Sequence, residues 1–305
     1  MSVAEVKLKD VRAEARQKAR REFVADLPVN LFLVLILLVT LIPLWYVLVV
    51  SFTPLGQAGS QGYNLFLAPW NWSLEAYKQL LGQDTFIRAL VNSLIITLGG
   101  VAINMFLTVL TAYALSFKGL PGRKFILMLI LFTFLFNAGL VPTYLMVKNL
   151  GLIDNYLAVI LPTGISVYNL LVMMTFFQNI PEALKEAAKI DGANEWKVLL
   201  KIVLPLSKPI LLTIGLFYAV SHWNEFFQPL LYFNNTNLMP LPVLLRNILL
   251  AANMNEYVDY NAVSAAPQEA LKMAAVLLTM LPMLVVYPWI QRHFTKGVLI
   301  GGVKE

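Results

Sequence analysis

Six stretches of this 305-residue chain, near 27–52, 90–117, 125–147, 156–178, 207–231 and 273–290, are apolar over lengths that match a bilayer crossing. About 20 helical residues cover the ~30 Å hydrocarbon layer. Backbone N–H and C=O groups find no water there, so each stretch must satisfy its own hydrogen bonds, and runs of this length do so as helices. The expected fold is an all-α polytopic membrane protein of six transmembrane helices. A composition 59% hydrophobic and only 13% charged leaves too little polar surface for a soluble domain of this size. The chain has no cysteine, so its loops must hold their shape by packing and hydrogen bonds alone.

The distribution of charge orients these spans. Residues 1–26 carry seven Lys/Arg among five acids and lack the apolar core of a signal peptide. They read as a retained cytoplasmic tail, either simply solvated or touching lipid head groups. With that tail inside, 18 of the 23 basic residues fall in cytoplasmic segments, and only Lys78, Arg88, Lys148, Arg246 and Lys272 fall outside. The positive-inside rule therefore places 1–26, the 179–205 loop and the 291–305 tail in the cytoplasm of a cell (inner) membrane protein. The net charge of +6 reflects this topology and does not point to nucleic acid.

The 179–205 loop, NIPEALKEAAKIDGANEWKVLLKIVLP, has the signals of two short helices. Asn179 with Glu182 three places on suggests a helix start, and EALKEAAK is built from strong helix formers. Asp191-Gly192 supplies a stop, since glycine accepts the left-handed conformation. Asn194 then caps a second helix with Trp196, Leu199, Leu200 and Val203 on one stripe. Pro205 and Pro209 mark the return to the next span.

Several chemistries are missing. No glycine is followed by lysine, so there is no phosphate-cradling P-loop, and GxSxG is absent. The two histidines, His222 and His293, lie far apart without Cys or His companions, so no metal site is expected. Glu225 is the only acid well inside an expected span, within Ser221-His222-Trp223-Asn224-Glu225-Phe226-Phe227-Gln228. Such polar groups must face a wet cavity or another protein element. A sugar path needs this mixture, because hydroxyls require hydrogen-bond partners while the apolar ring face stacks on aromatics. Trp223, Asn224, Glu225 and Gln228, with Asn137, Tyr144 and Asn169 on other spans, are the candidate path residues. The other reading makes them helix glue or interface anchors. The outer loop 229–272, with Asn234, Asn235, Asn253 and Tyr257, is either a docking surface or a cap.

Glu186-Ala187-Ala188, Gly192 six residues after Glu186, and Ile202, Leu204 and Pro205, with Asp191 and Ala193 flanking the glycine, resemble the EAA motif of permease subunits in binding-protein-dependent ABC importers. The whole chain is similar to the carbohydrate-uptake, maltose-type class, and residues 297–305 resemble that class's C-terminal tail. Asn137-Ala138-Gly139-Leu140-Val141-Pro142 and Trp223-Asn224-Glu225-Phe226-Phe227 resemble the subgroup for aldouronate and alginate oligosaccharides. The resemblance implies a type I ABC importer permease fold spanning 27–290, paired with a second permease subunit. It also implies two ATPase subunits that hold the ATP and Mg, a solute-binding protein that delivers an oligosaccharide, and no enzyme activity or cofactor on this chain. Glu186, Ala187, Ala188, Asp191, Gly192, Ala193, Trp196, Ile202, Leu204 and Pro205 would couple to the ATPase. Gly301, Gly302, Val303 and Lys304 would reach into the ATPase dimer, and the 229–272 loop would dock the binding protein. Permeases for peptides, metals or anions share the motif, and an ion-coupled carrier is a more distant alternative.

Overall fold

A computed structural model describes residues 28–54, 66, 68–250 and 267–301 of the chain, and among these every regular element is helical. The expected tail 1–26 and the candidate residues Asn253, Tyr257, Gly302, Val303 and Lys304 lie outside the described residues.

The elements are α1 (Pro28–Ser51), α2 (Glu75–Leu81), α3 (Asp84–Ser116), α4 (Arg123–Leu135), α5 (Leu140–Asn149) and α6 (Leu157–Ile160). They continue with α7 (Val167–Gln178), α8 (Glu182–Ile190), α9 (Glu195–Leu206), α10 (Lys208–Asn224), α11 (Phe227–Tyr232), α12 (Leu241–Leu250) and α13 (Gln268–Gly301). Three helices, α1, α3 and α13, are each long and apolar enough to cross a membrane unbroken.

The other expected spans are interrupted. The stretch 125–147 is two helices, α4 and α5, bent by 115° at a break where Gly139 takes φ +89° and Asn137 Oδ1 accepts its N–H at 2.9 Å. The stretch 156–178 is divided between α6 and α7 by a non-helical segment at 161–166. Apolarity alone does not reveal such breaks, because the side chains around an unwound turn can stay apolar while the backbone leaves the helix. The final helix starts at Gln268, ahead of the expected 273, and continues through the expected tail to Gly301 despite Pro282 and Pro288. Nor is 229–272 simply a loop: α12 within it buries Leu241, Val243, Leu244 and Ile248.

α3 is the axis of the bundle, with α7 and α10 packed along it and α12 against its first turns, while α13 packs on α2, α10 and α12. Its Ser93, Thr97, Gly100, Asn104 and Thr108 recur every three or four residues and are all buried. Small and polar residues at this spacing let helices approach closely in lipid, where apolar side chains give no preference for protein over bilayer. One core gathers Leu80, Phe86, Trp223, Leu241 and Leu271 at the first end of α3. A second gathers Tyr113, Phe177, Val198, Val203 and Ile214 at its last. By contrast α1 and α4 expose nearly their whole apolar surface, a girdle too large for a water-facing protein.

Candidate functional site

The 182–206 knob stands on the second of these cores. α8 begins at Glu182 with Pro181 in the cap position, while Asn179 instead ends α7, so the expected Asn179–Glu182 start does not form. Its end is a Schellman turn: Ala193 N–H reaches Ala188 O at 2.9 Å, Gly192 N–H reaches Lys189 O at 3.0 Å, and Gly192 sits at φ +80°. Asn194 Oδ1 accepts from Lys197 N at 2.9 Å and caps α9 as the sequence suggests.

α9 does not present one continuous stripe. A π-helical turn at Leu199–Val203 divides its apolar residues between two directions. Val198, Leu199 and Val203 are buried against Tyr113, Phe177 and Ile214, whereas Trp196 and Leu200 face outward together with Ile190, which is 86% exposed. Glu186, Ala187, Asp191, Gly192 and Pro205 are also exposed, and Ala188, Ala193, Ile202 and Leu204 are half-buried at the base.

Polar contacts tie the knob to α3. Glu195 Oε2 accepts from the Tyr113 hydroxyl at 2.8 Å, and its Oε1 pairs with Lys189 Nζ at 2.6 Å. The Lys189 hydrogen bond holds the Glu195 carboxyl below its ordinary value. Lys185 donates to Phe177 O at 3.1 Å, and burial lowers its pKa. Lys185 and Lys189 both lie over the Phe117 ring, 5.9 and 5.6 Å from its centre. Sequence reading missed Tyr113, Lys185, Lys189 and Glu195 as a group, since nothing in their spacing joins the end of one span to a loop about 80 residues later.

Partway along α3, a polar seam joins α3, α10 and the 161–166 segment. The Asn104 amide nitrogen lies 2.9 Å from His222 Nε2 and donates to Thr163 O at 3.1 Å. The Thr108 and Tyr218 hydroxyls share a hydrogen bond at 2.7 Å, and the Tyr218 oxygen accepts Ser166 N–H at 3.0 Å. These bonds satisfy part of the unwound 161–166 segment. A cavity of about 470 Å³ opens beside the seam. The signal for it was present as i, i+4 pairs: Asn104 with Thr108, and Tyr218 with His222.

The candidate path residues are not brought together. Asn169 lines the polar cavity, while Trp223 and Asn224 line a separate apolar groove of about 950 Å³ between α10, α12 and α13. Trp223 is buried, its Nε1 donating to Thr279 O at 3.0 Å. Glu225 is not inside a helix: it is extended after α10, and its Oε1 accepts from Phe227 N at 2.9 Å and Gln228 N at 3.1 Å, capping α11. Asn137 and Gln228 line neither space, and Tyr144 stacks on Tyr232 with ring centres 6.1 Å apart.

In the segment after α11, expected as an outer loop, Asp154 Oδ1 accepts from Asn234 N at 2.6 Å and Asn235 N at 2.9 Å. Those bonds hold the Asp154 carboxyl below its ordinary value. Asn235 Oδ1 caps the turn Thr236–Leu238, and Arg88 and Asn92 of α3 bind Asn237. Asn234 and Asn235 are thus held from within the chain, and Asp154 is the partner that the sequence did not suggest.

A helical bundle with an apolar girdle, a buried polar seam and an exposed two-helix knob is the architecture of an integral membrane protein. The chain belongs to the family of binding-protein-dependent transport system inner membrane components, whose sequence profile matches residues 19–300. It is 41% identical to the polygalacturonan/rhamnogalacturonan transport system permease protein YtcP of Bacillus subtilis, over 92% of this chain and 98% of that protein. It is also 41% identical to the B. subtilis protein LplC, over 87% of this chain and 90% of that one. Among solved structures, a chain of a bacterial ABC transporter involved in import of the acidic polysaccharide alginate superposes with a TM-score of 0.84 at 30% identity, covering 90% of this chain and 98% of that one.

Proposed function

We propose that this chain is one of two permease subunits of an ATP-driven importer for an oligosaccharide delivered by an extracytoplasmic solute-binding protein. Two ATPase subunits holding the ATP and Mg grip the knobs and drive the cavity between inward- and outward-facing states. The chain crosses the membrane six times with both termini in the cytoplasm. The observation that carries the reading is the knob itself. It is a two-helix projection set by a left-handed glycine, whose Ile190, Trp196 and Leu200 face outward while Val198, Leu199 and Val203 root it in the bundle.

Such a projection suits transmission of a push: apolar residues fill a cleft on the driving chain, and the rooted face passes the displacement to α3 and α7. The sugar cargo is supported by the relatives, whose names specify polygalacturonan, rhamnogalacturonan and alginate. The test is to purify the chain with its co-expressed ATPase and partner permease and introduce Trp196→Glu. A charge forced into an apolar cleft should release the ATPase while the two permease chains stay together. Retention of the ATPase at the native ratio would overturn the assignment of the knob.

A further inference from the structure

The start of α3, the turn Thr236–Leu238 and α12 enclose a cavity of about 360 Å³, within the ~300–1,000 Å³ range of small-ligand pockets. Its polar lining comes from all three: Thr85 and Arg88 on α3, Thr236 and Asn237 in the turn, and Asn247 on α12. The turn is held from within the chain. Asn92 Nδ2 donates to Asn237 O at 2.8 Å and Met239 O at 3.0 Å, and Asn235 Oδ1 accepts from Asn237 N at 3.0 Å. A wall fixed in this way costs little to order when a ligand arrives.

The donors of this pocket are largely unspent within the chain. Arg88 gives one N–H to Asn237 Oδ1 and keeps the others of its planar fork. Among the described residues it pairs with no carboxylate, not even Asp84 one turn earlier, and no Asp or Glu lines the cavity. The side chains of Thr85, Thr236 and Asn247 make no hydrogen bond among the described residues. Thr85, Arg88, Thr236 and Asn237 are all exposed, so a ligand can reach them. The other Lys and Arg side chains beside cavities, Lys124 and Arg246, sit mainly among apolar residues, and the cavity beside the seam has neither Lys nor Arg. A guanidinium among hydroxyls and amides matches a carboxylate, which accepts two parallel N–H bonds from the fork.

We propose that this pocket is a carboxylate-reading site at the outer rim of the permease, which takes a uronate group of the cargo on the Arg88 fork and neighbouring sugar hydroxyls on Thr85, Thr236 and Asn247. This rests on the reading of the chain as an oligosaccharide permease, which turns this end of α3, opposite the knob, toward the incoming sugar. The site lies at the rim and not between the spans: Arg88 is only about 6 Å of helical rise from Asp84, where α3 begins. An exposed guanidinium–carboxylate pair is weak, which suits a group that must be met and then passed on. The pocket thus sorts acidic from neutral cargo without retaining it.

The experiment uses the purified assembly of both permease chains and the ATPase, first without binding protein. Phenylglyoxal modifies accessible arginines, and mass spectrometry reads the modified fraction at Arg88, with the exposed Arg246 as internal reference. Trigalacturonate should slow modification of Arg88 about fivefold at the top of a millimolar titration and leave Arg246 unchanged, whereas its methyl ester and maltotriose should protect neither. An Arg88 that does not react in the free assembly, that trigalacturonate does not protect, or that the ester protects equally would overturn the site. Protection only by cargo-free binding protein, or only by anionic lipid in nanodiscs, would overturn it in favour of a docking or lipid contact. In proteoliposomes with binding protein and ATP, Arg88→Gln should lower trigalacturonate uptake by a similar factor, about fivefold, and Arg88→Lys by less, because Lys keeps the charge without the fork. Native uptake by Arg88→Gln would overturn the role in transport. If the native assembly takes up neither trigalacturonate nor maltotriose but carries a peptide, the sugar reading itself falls, an outcome distinct from trigalacturonate uptake with Arg88 unprotected, which sinks the site alone.

Discussion

Two glycines show how little space or conformational latitude the working parts allow. Gly192 has open space around its missing side chain but a φ of +80°, so the cost of substitution is purely one of backbone. The left-handed region costs an L-residue roughly 1–2 kcal/mol, and a β-branched one more. Gly192→Val should therefore leave the bundle folded by circular dichroism yet reorient α8 against α9 and lower ATP-driven uptake, with Gly192→Asn nearly normal because Asn tolerates this region. Native uptake by the valine variant would show that the turn geometry is dispensable. Gly100 is the opposite case. A methyl group there would lie 2.5 Å from His222 Nε2, so the ring must move and the Asn104 contact with it. Gly100→Ala should lower the unfolding free energy by about 1–3 kcal/mol in detergent, an overpacking cost that His222→Ala in the same chain partly relieves.

At the scale of elements, a polar link between the knob and α3, beside their shared apolar core, runs through one carboxylate, Glu195, between Lys189 and Tyr113. Glu195 is half exposed, so the pair with Lys189 alone contributes little, and the tie depends on both bonds together. Tyr113→Phe and Glu195→Gln should each loosen the knob, and their effects should be less than additive, with a coupling of about 1 kcal/mol in a double-mutant cycle. Acid should act in the same direction. The folded Glu195 carboxyl titrates below its ordinary value of 4.5, so the contribution is complete above that pH and disappears as pH falls through the depressed folded value. Amide exchange in α8 and α9 should thus show no change attributable to Glu195 between pH 8 and 6, and the knob should open only in stronger acid. This tie was illegible in the sequence, because it joins two elements through side chains with no periodic relation. The turn was legible: Gly192 and Asn194 announce their roles by chemistry that is local, a permitted φ and a side-chain cap. Glu225 left two readings open for the converse reason. An acid inside an apolar run reads as a functional charge or as a helix anchor, and in the structure the helix has already ended there and one carboxylate oxygen, Oε1, accepts from two backbone N–H groups.

For the whole molecule, apolar length gave the membrane class and the approximate places of the helices, and it failed where a helix breaks without losing its apolar character. Whether the α4–α5 pair, bent by 115°, crosses the membrane or turns back decides the crossing count. Contacts across the molecule bear on this. Asp154, after α5, bonds to Asn234 and Asn235, and α3 binds Asn237 through Asn92 near its start. Tyr113, near the other end of α3, holds Glu195 in the knob. The segment 117–122 that precedes α4 lies on the knob side of α3 and the segment 150–156 that follows α5 lies toward its other end, an arrangement from which we predict that the bent pair traverses the layer. The chain has no cysteine, so single cysteines report accessibility without background. Gly119→Cys and Ala187→Cys should react with a membrane-impermeant maleimide only in inside-out vesicles, and Leu150→Cys and Asn235→Cys only in right-side-out ones. Each position is exposed in this chain, so with vesicles stripped of the ATPase and free of binding protein silence would not follow from burial. Reaction of Gly119→Cys and Leu150→Cys from the same face would make α4–α5 a re-entrant hairpin, reduce the crossings from six to five, and set the chain's two ends on opposite sides of the membrane.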